Sequence, residues 1–159
     1  MEAKEVFQRE EYSQNAFLHV AAADMYLGDG EFIQERFDKA FEYYLTAFEY
    51  CDETRDFAAT ALILSKLGIT QYYQHDLKAA RYYLLHAIEQ YNKTMFFWER
   101  GRSYYYLAKI SLKQGERNEF RVYLQQAKLY CPSADSSHLW EKIAQLECMG
   151  KKYPFEISE

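Results

Sequence analysis

The sequence predicts an all-α fold built from repeated antiparallel helix pairs, and three observations carry that expectation. The first is composition. The 159 residues include 16 Tyr and 11 Phe against 2 Pro and 6 Gly, a balance suited to long elements packed through large rings and joined by short connections. The second is an internal period of forty residues. The third is that each period holds two stretches whose apolar residues recur at spacings of three and four, as one face of a helix requires.

The period rests on two anchors. Ala47, Ala87 and Ala127 are 40 apart, as are Tyr43, Tyr83 and Tyr123, while Tyr44, Leu84 and Leu124 keep a large apolar group at the adjoining position. Upstream, Leu27-Gly28, Leu67-Gly68 and Leu107-Ala108 keep the same interval. Three copies agreeing at two separate places leave coincidence a poor explanation.

The chain therefore reads as one helical repeat domain over 1–150, with units at about 14–53, 54–93 and 94–133, a capping helix at 136–150 and a tail at 151–159. In the first unit, Gly28-Asp29-Gly30 interrupts the helical register, so a frayed or shifted first helix that doubles as a cap is expected. The middle unit is the clearest. Leu64, Leu67, Gly68 and Tyr72 form one stripe, and Leu77, Ala80, Leu84, Ala87 and Ile88 form the next. Between them Gln74-His75-Asp76 is too short for anything but an antiparallel return. Asp76 is placed to cap the second helix, its carboxylate accepting from free amides of the first turn. Small residues at Gly28, Gly68, Ala108, Ala40, Ala80, Ala47, Ala87 and Ala127 fall where two backbones must approach closely, with large neighbours filling the gaps. After Pro132, Ser136 or Ser137 is the expected cap of a last helix. Its apolar stripe is Leu139, Trp140, Ile143, Leu146 and Met149, and Gly150 is its expected stop. The tail, with Pro154 and no period, is expected to be a loosely packed extension.

Leu67, Gly68, Ala80, Leu84 and Ala87 together resemble the signature of the tetratricopeptide repeat (TPR) family, and Tyr104, Leu107, Ala108, Leu124, Ala127 and Pro132 match it in the third unit, which has Phe120 where a small residue is expected. The resemblance implies a right-handed superhelix of about three TPR-like antiparallel helix pairs plus the C-terminal capping helix. The unit of 40 exceeds the usual TPR period of about 34. In this the chain is similar to the long-unit TPR domains of bacterial quorum-peptide receptors of the Rap and PlcR type, though it has no segment for the DNA-binding or phosphatase-interacting part of such receptors.

Charge and motifs narrow the function. A formal net charge of −5 and the absence of any long Lys/Arg run give no general attraction for a phosphate backbone, so nucleic acid is not an expected partner. No apolar run reaches the roughly 18 to 20 residues of a membrane span, and the N-terminus lacks the charged-then-apolar order of a signal peptide, so the expected location is the cytoplasm, away from membranes. Cys51, Cys131 and Cys148 are an odd number without CxxC spacing and are expected to be buried structural thiols. His19, His75, His86 and His138 are scattered, and Glu31, Glu35, Glu42 and Glu49 read as solvated helix charges. With no nucleophile elbow, P-loop, dinucleotide fingerprint or HExxH present, neither an enzyme, a metal site nor a cofactor is expected.

What remains is a surface for another polypeptide. On TPR modules the inward face of the first helix of each pair holds the ligand, and the resemblance places that face at Arg102, Tyr105, Lys109, Leu112 and Lys113 in the third unit and at Leu62, Ser65, Ile69, Tyr72 and Tyr73 in the second. Two readings of the cations stand: a solvated helix face, or a basic site for acidic or C-terminal carboxylate groups of a partner. The tyrosines are likewise either packing residues or ligand contacts. The Lys/Asn/Arg clamp of chaperone-binding TPR modules is not matched, because the second unit offers Ser65 and Ile69 instead. The expected function is a peptide- or protein-binding adaptor or scaffold. The competing expectation is a structural subunit that forms a homo-oligomer through its convex face or terminal caps.

Overall fold

A computed structural model describes residues 2–54, 56–95, 97–131 and 137–152; the side chains of 2–15, 17, 52–54, 97 and 137 are not among those described. Among the described residues seven helices follow one another: α1 (Glu2–Ile33), α2 (Phe37–Thr54), α3 (Phe57–Tyr73), α4 (Leu77–Tyr91), α5 (Phe97–Lys113), α6 (Arg117–Tyr130) and α7 (Ser137–Lys152). No strand occurs among the described residues. None of these helices is long and apolar enough to cross a membrane. Packing is most extensive within α1–α2, α3–α4 and α5–α6, and α7 lies on both α5 and α6.

Three turns of the same construction close the pairs. Glu35, His75 and Gly115 have φ of 59°, 67° and 73°, and the three are again 40 residues apart. At each, the left-handed residue donates its amide three residues back and the next residue donates five back: Glu35 to Phe32 and Arg36 to Glu31, His75 to Tyr72 and Asp76 to Gln71, Gly115 to Leu112 and Glu116 to Ser111. This is the Schellman ending, which satisfies the last carbonyls of a helix and reverses the chain within three residues. Asp76 then caps α4 by accepting from the Ala79 amide at 2.9 Å, and Asp56 caps α3 by accepting from Ala58 and Ala59 at 3.0 Å each. Asp76 thus holds the capping place expected of it, and Gln34, Gln74 and Gln114 recur ahead of each turn residue.

The helix expected to break at Gly28-Asp29-Gly30 does not break: α1 passes through all three. A side chain at Gly28 would place its Cβ 2.6 Å from a ring carbon of Tyr44, so this glycine is the hollow that receives that ring. Its propensity cost of about 1 kcal/mol relative to Ala is offset by burial of an aromatic side chain, since Tyr44 is 2% exposed. Gly68 has the same relation to Leu84, whose Cγ would lie 2.7 Å from an added Cβ. Ala40, Ala47, Ala80, Ala87, Ala108 and Ala127 are all fully buried, as close helix contact demands.

The third pair departs from this pattern at one point. Phe120 stands where Ala40 and Ala80 stand in the other two, and its ring packs against Gly150 of α7, where an added Cβ would meet it at 2.4 Å. Gly150 therefore does not stop α7, which continues to Lys152; it lets α7 close over the Phe120 ring. The remainder of the expected tail, 153–159, lies outside the described residues, as do Pro132 and Ser136. Two of the cysteines are buried as expected. Burial pushes the thiols of Cys51 and Cys131 up to about 11, whereas Cys148 is exposed on α7, contrary to expectation, because it lies off the stripe of Leu139, Ile143 and Leu146 that faces the core. Cys51 and Cys131 share their repeat position with Tyr91, and all three are buried.

Candidate partner-binding surface

Helices α3 and α5 are neighbours in space, and Ser65 and Ser103 face one another between them, their hydroxyl oxygens 3.0 Å apart. Both serines are fully buried. Ser65 thus joins two helices rather than lining a surface, and Ile69, also expected on that surface, is buried beside it. Leu62 is half-buried on α3. Leu112 is half-buried against the cluster that α5 shares with α6 and α7.

Four of the other expected residues meet in one place. Lys113 Nζ lies over the Tyr72 ring at 4.3 Å, and Lys109 Nζ lies 4.6 Å from the same ring, 5.6 Å from Tyr105 and 5.3 Å from Tyr106. A cation above an aromatic face is held by the ring quadrupole without losing its charge. Lys113 remains exposed and Lys109 half-exposed, so the lysine stems lie on a floor of tyrosine while their ammonium groups stay available. Burial raises the Tyr105 hydroxyl to about 12 and pushes that of Tyr106 higher still, which leaves both phenols neutral across the physiological range.

Tyr73 extends this floor toward the first pair. Its ring stacks on Phe37 at 5.4 Å and meets Phe32 edge-on at 5.4 Å, and its hydroxyl lies 3.4 Å from that of Tyr106. Phe32, Phe37 and Tyr106 were not foreseen from the sequence. Their signal is faint: Tyr106 is the third member of Tyr104-Tyr105-Tyr106, and Phe32 and Phe37 flank the first turn.

Arg102 does not join the two lysines. It lines a cavity of about 180 Å³ with Asp29, Phe32, Tyr44, Lys66, Ile69 and Tyr106. Within that cavity Asp29 accepts from the Tyr44 hydroxyl and from Lys66 Nζ, both at 2.6 Å. Burial, followed by the Asp29 carboxylate, pushes the Tyr44 phenol far above its ordinary value, so Tyr44 remains a neutral donor. Arg102 has no hydrogen bond or ion pair among the described residues, and its Nε is buried without a partner. Asp29, Tyr44 and Lys66 have no signal in the sequence, because Asp29 and Lys66 stand 37 positions apart with no local pattern linking them.

No curated protein gives a significant match to the chain. The model of the tetratricopeptide repeat family matches residues 19–93, a stretch that takes in the second half of α1 and the whole of α2, α3 and α4. Over that stretch the chain is similar to the tetratricopeptide repeat family.

Proposed function

We propose that this chain is a non-enzymatic interaction module, an adaptor or scaffold that holds a peptide or protein segment along the face made by α1, α3 and α5. TPR repeats generally mediate protein–protein interactions and are typically non-enzymatic. The observation that carries the reading is the tyrosine floor with two cations on it: Tyr72, Tyr105 and Tyr106 beneath Lys109 and Lys113. Aromatic area and accessible positive charge together suit an acidic segment with apolar side chains. In this reading the three helix pairs wind as a right-handed superhelix whose concave side is that face, and the partner lies in the groove.

The test is selection of peptides from a random displayed library, followed by affinity measurement against wild type and an Arg102→Ala/Lys109→Ala/Lys113→Ala variant. Enriched acidic sequences that lose at least tenfold in affinity with the variant support the reading, about 1.4 kcal/mol. Selected peptides that bind both proteins equally sink it.

A second reading is a structural subunit that self-associates. It is favoured by one observation: Val20, Tyr26, Leu27 and Ile33 are all exposed on α1, Ile33 at 80%, and the pairs Val20/Leu27 and Tyr26/Ile33 each repeat at seven, which aligns them along the helix. Size-exclusion across a concentration series decides it, since an oligomer that dissociates on Leu27→Lys supports assembly and a strict monomer removes it.

A further inference from the structure

We propose that α7 is an interface between two copies of this chain, laid antiparallel along the side that carries Glu141, Ala144, Gln145, Cys148 and Lys152. The inference goes beyond the reading of the α1–α3–α5 face and does not rest on it.

The repeat identifies the open side of α7. On α3, the face closed by α4 carries Gly68, where an added Cβ would meet Leu84. On α5, the face closed by α6 carries Gly101, where an added Cβ would meet Cys131, and Tyr104, whose ring stacks on that of Tyr130 at 5.8 Å. Helix α7 begins at Ser137, forty residues after Phe97 of α5 and eighty after Phe57 of α3. The same places on it are therefore Glu141, Ala144 and Cys148. All three are exposed, and beside them lies a shallow hollow of about 400 Å³ lined by Ala144, Gln145, Cys148, Met149 and Lys152. The face that a second helix closes in the other pairs is thus uncovered among the described residues.

The charges on this face select its occupant. Spacings of three, four, seven and eleven set Glu141, Ala144, Gln145, Cys148 and Lys152 along one side of the helix. That side is acidic at one end, basic at the other and small or neutral between. Glu141 and Lys152 have no ion pair among the described residues, whereas neighbouring Lys151 is held by Glu147 at 3.7 Å. Two copies related by a two-fold axis, with their α7 helices antiparallel, bring each Glu141 to Lys152 of the other copy and set Gln145 beside Cys148 twice at the centre. A parallel arrangement would oppose like charges at both ends. Met149, 47% exposed, adds apolar area beside the seam. One helix of 16 residues from each copy makes a contact below the size of obligate dimers, so the association is weak and reversible. Where each copy holds a segment on its α1–α3–α5 face, the dimer holds two, and a partner carrying two such segments is retained by avidity.

The experiment combines sedimentation equilibrium of the full chain with the rate at which Cys148 reacts with N-ethylmaleimide, at low salt and from about 10 μM to 1 mM chain. Cys51 and Cys131 are buried, so fast labelling reports Cys148. The expected result is a mass that rises from monomer towards dimer, with labelling that slows over the same range. Glu141→Lys and Lys152→Glu should each weaken the dimer roughly tenfold, since symmetry turns two attractions into two repulsions. The double change Glu141→Lys/Lys152→Glu should restore it. A chain that stays monomeric overturns the proposal: fast labelling throughout then leaves the two charges matched only to the helix dipole, and slow labelling throughout means that the chain itself covers α7. A dimer that survives both single changes, or that is lost with Leu27→Lys instead, puts the contact elsewhere and overturns it as well. None of these results bears on peptide binding at the α1–α3–α5 face, which the selected peptides test by themselves.

Discussion

The second and third helix pairs meet the same packing problem with side chains of opposite size. In α3–α4, fully buried Ala80 lets the backbones close, and Leu84 fills the hollow at Gly68. In α5–α6 the place of Ala80 is taken by Phe120, and the small residue is found instead on α7, as Gly150. The difference follows from what lies next door. Among the described residues α4 is followed by α5, another helix of the repeating kind, whereas α6 is followed by α7, which packs on both α5 and α6. A ring reaching out of α6 into a glycine hollow fastens α7 to that pair, and α7 thereby covers apolar surface that would otherwise meet water.

The largest expected effect tests that account directly. Phe120 is 5% exposed, so Phe120→Ala should cost about 3 to 5 kcal/mol, the usual range for emptying a buried aromatic site. In urea unfolding, the double change Phe120→Ala/Gly150→Leu should recover part of that loss, and Gly150→Leu alone should destabilise by overpacking. Additive losses would show that the ring and the glycine are not coupled. Substituting Ala87→Leu in the second pair and Ala127→Leu in the third is the milder comparison. Both alanines are fully buried, and each change should cost roughly 1 to 3 kcal/mol. A melting temperature unmoved by either would remove the close contact at that position.

The turns make the third comparison, since His75 and Gly115 hold the same left-handed conformation at φ of 67° and 73°. A non-glycine residue is strained there. His75→Gly should therefore raise stability by up to about 1 kcal/mol and Gly115→His lower it by about the same. Equal behaviour at the two turns would mean that one of them is not held by its Schellman bonds.

Much of this fold was legible because its determinants are local and repeat. The small residues at Gly68 and Ala87, the cap at Asp76 and the three-residue return at His75 each act within a few residues of themselves, and the period of 40 multiplies the signal. What could not be read was which neighbour covers which residue. Gly28-Asp29-Gly30 looks like a helix break until the Tyr44 ring is seen in the hollow, and Gly150 looks like a stop until Phe120 is seen against it. Helical spacing puts Arg102 on one stripe with Lys109 and Lys113, but spacing along α5 cannot say that α1 and α3 enclose Arg102 with Asp29 and Lys66 while Lys109 and Lys113 rest on Tyr72. The same spacing points Ser65 toward the surface, whereas Ser103 of α5 covers it.

The smallest expected effect lies at the seam between the two pairs, where Tyr72 comes from α3 and the lysines above it from α5. A cation–π contact at an exposed site contributes about 0.5 to 1 kcal/mol, so Lys113→Met should change stability by no more than that, and Lys109→Met, over three rings, by slightly more. If these cations serve a partner, their weight appears in binding instead. Raising salt from about 0.05 to 0.5 M shortens the Debye length from roughly 14 to 4 Å and should weaken an acidic peptide's affinity, with the double change Lys109→Met/Lys113→Met removing most of that salt dependence. The ring contacts should survive, since they do not depend on long-range charge. Lysine variants that lose several kcal/mol of stability while binding the peptide unchanged would identify Lys109 and Lys113 as fastenings between α3 and α5. A peptide indifferent to both salt and the lysines, yet lost with Tyr72→Ala or Tyr105→Ala, would leave the tyrosine floor as the recognising surface.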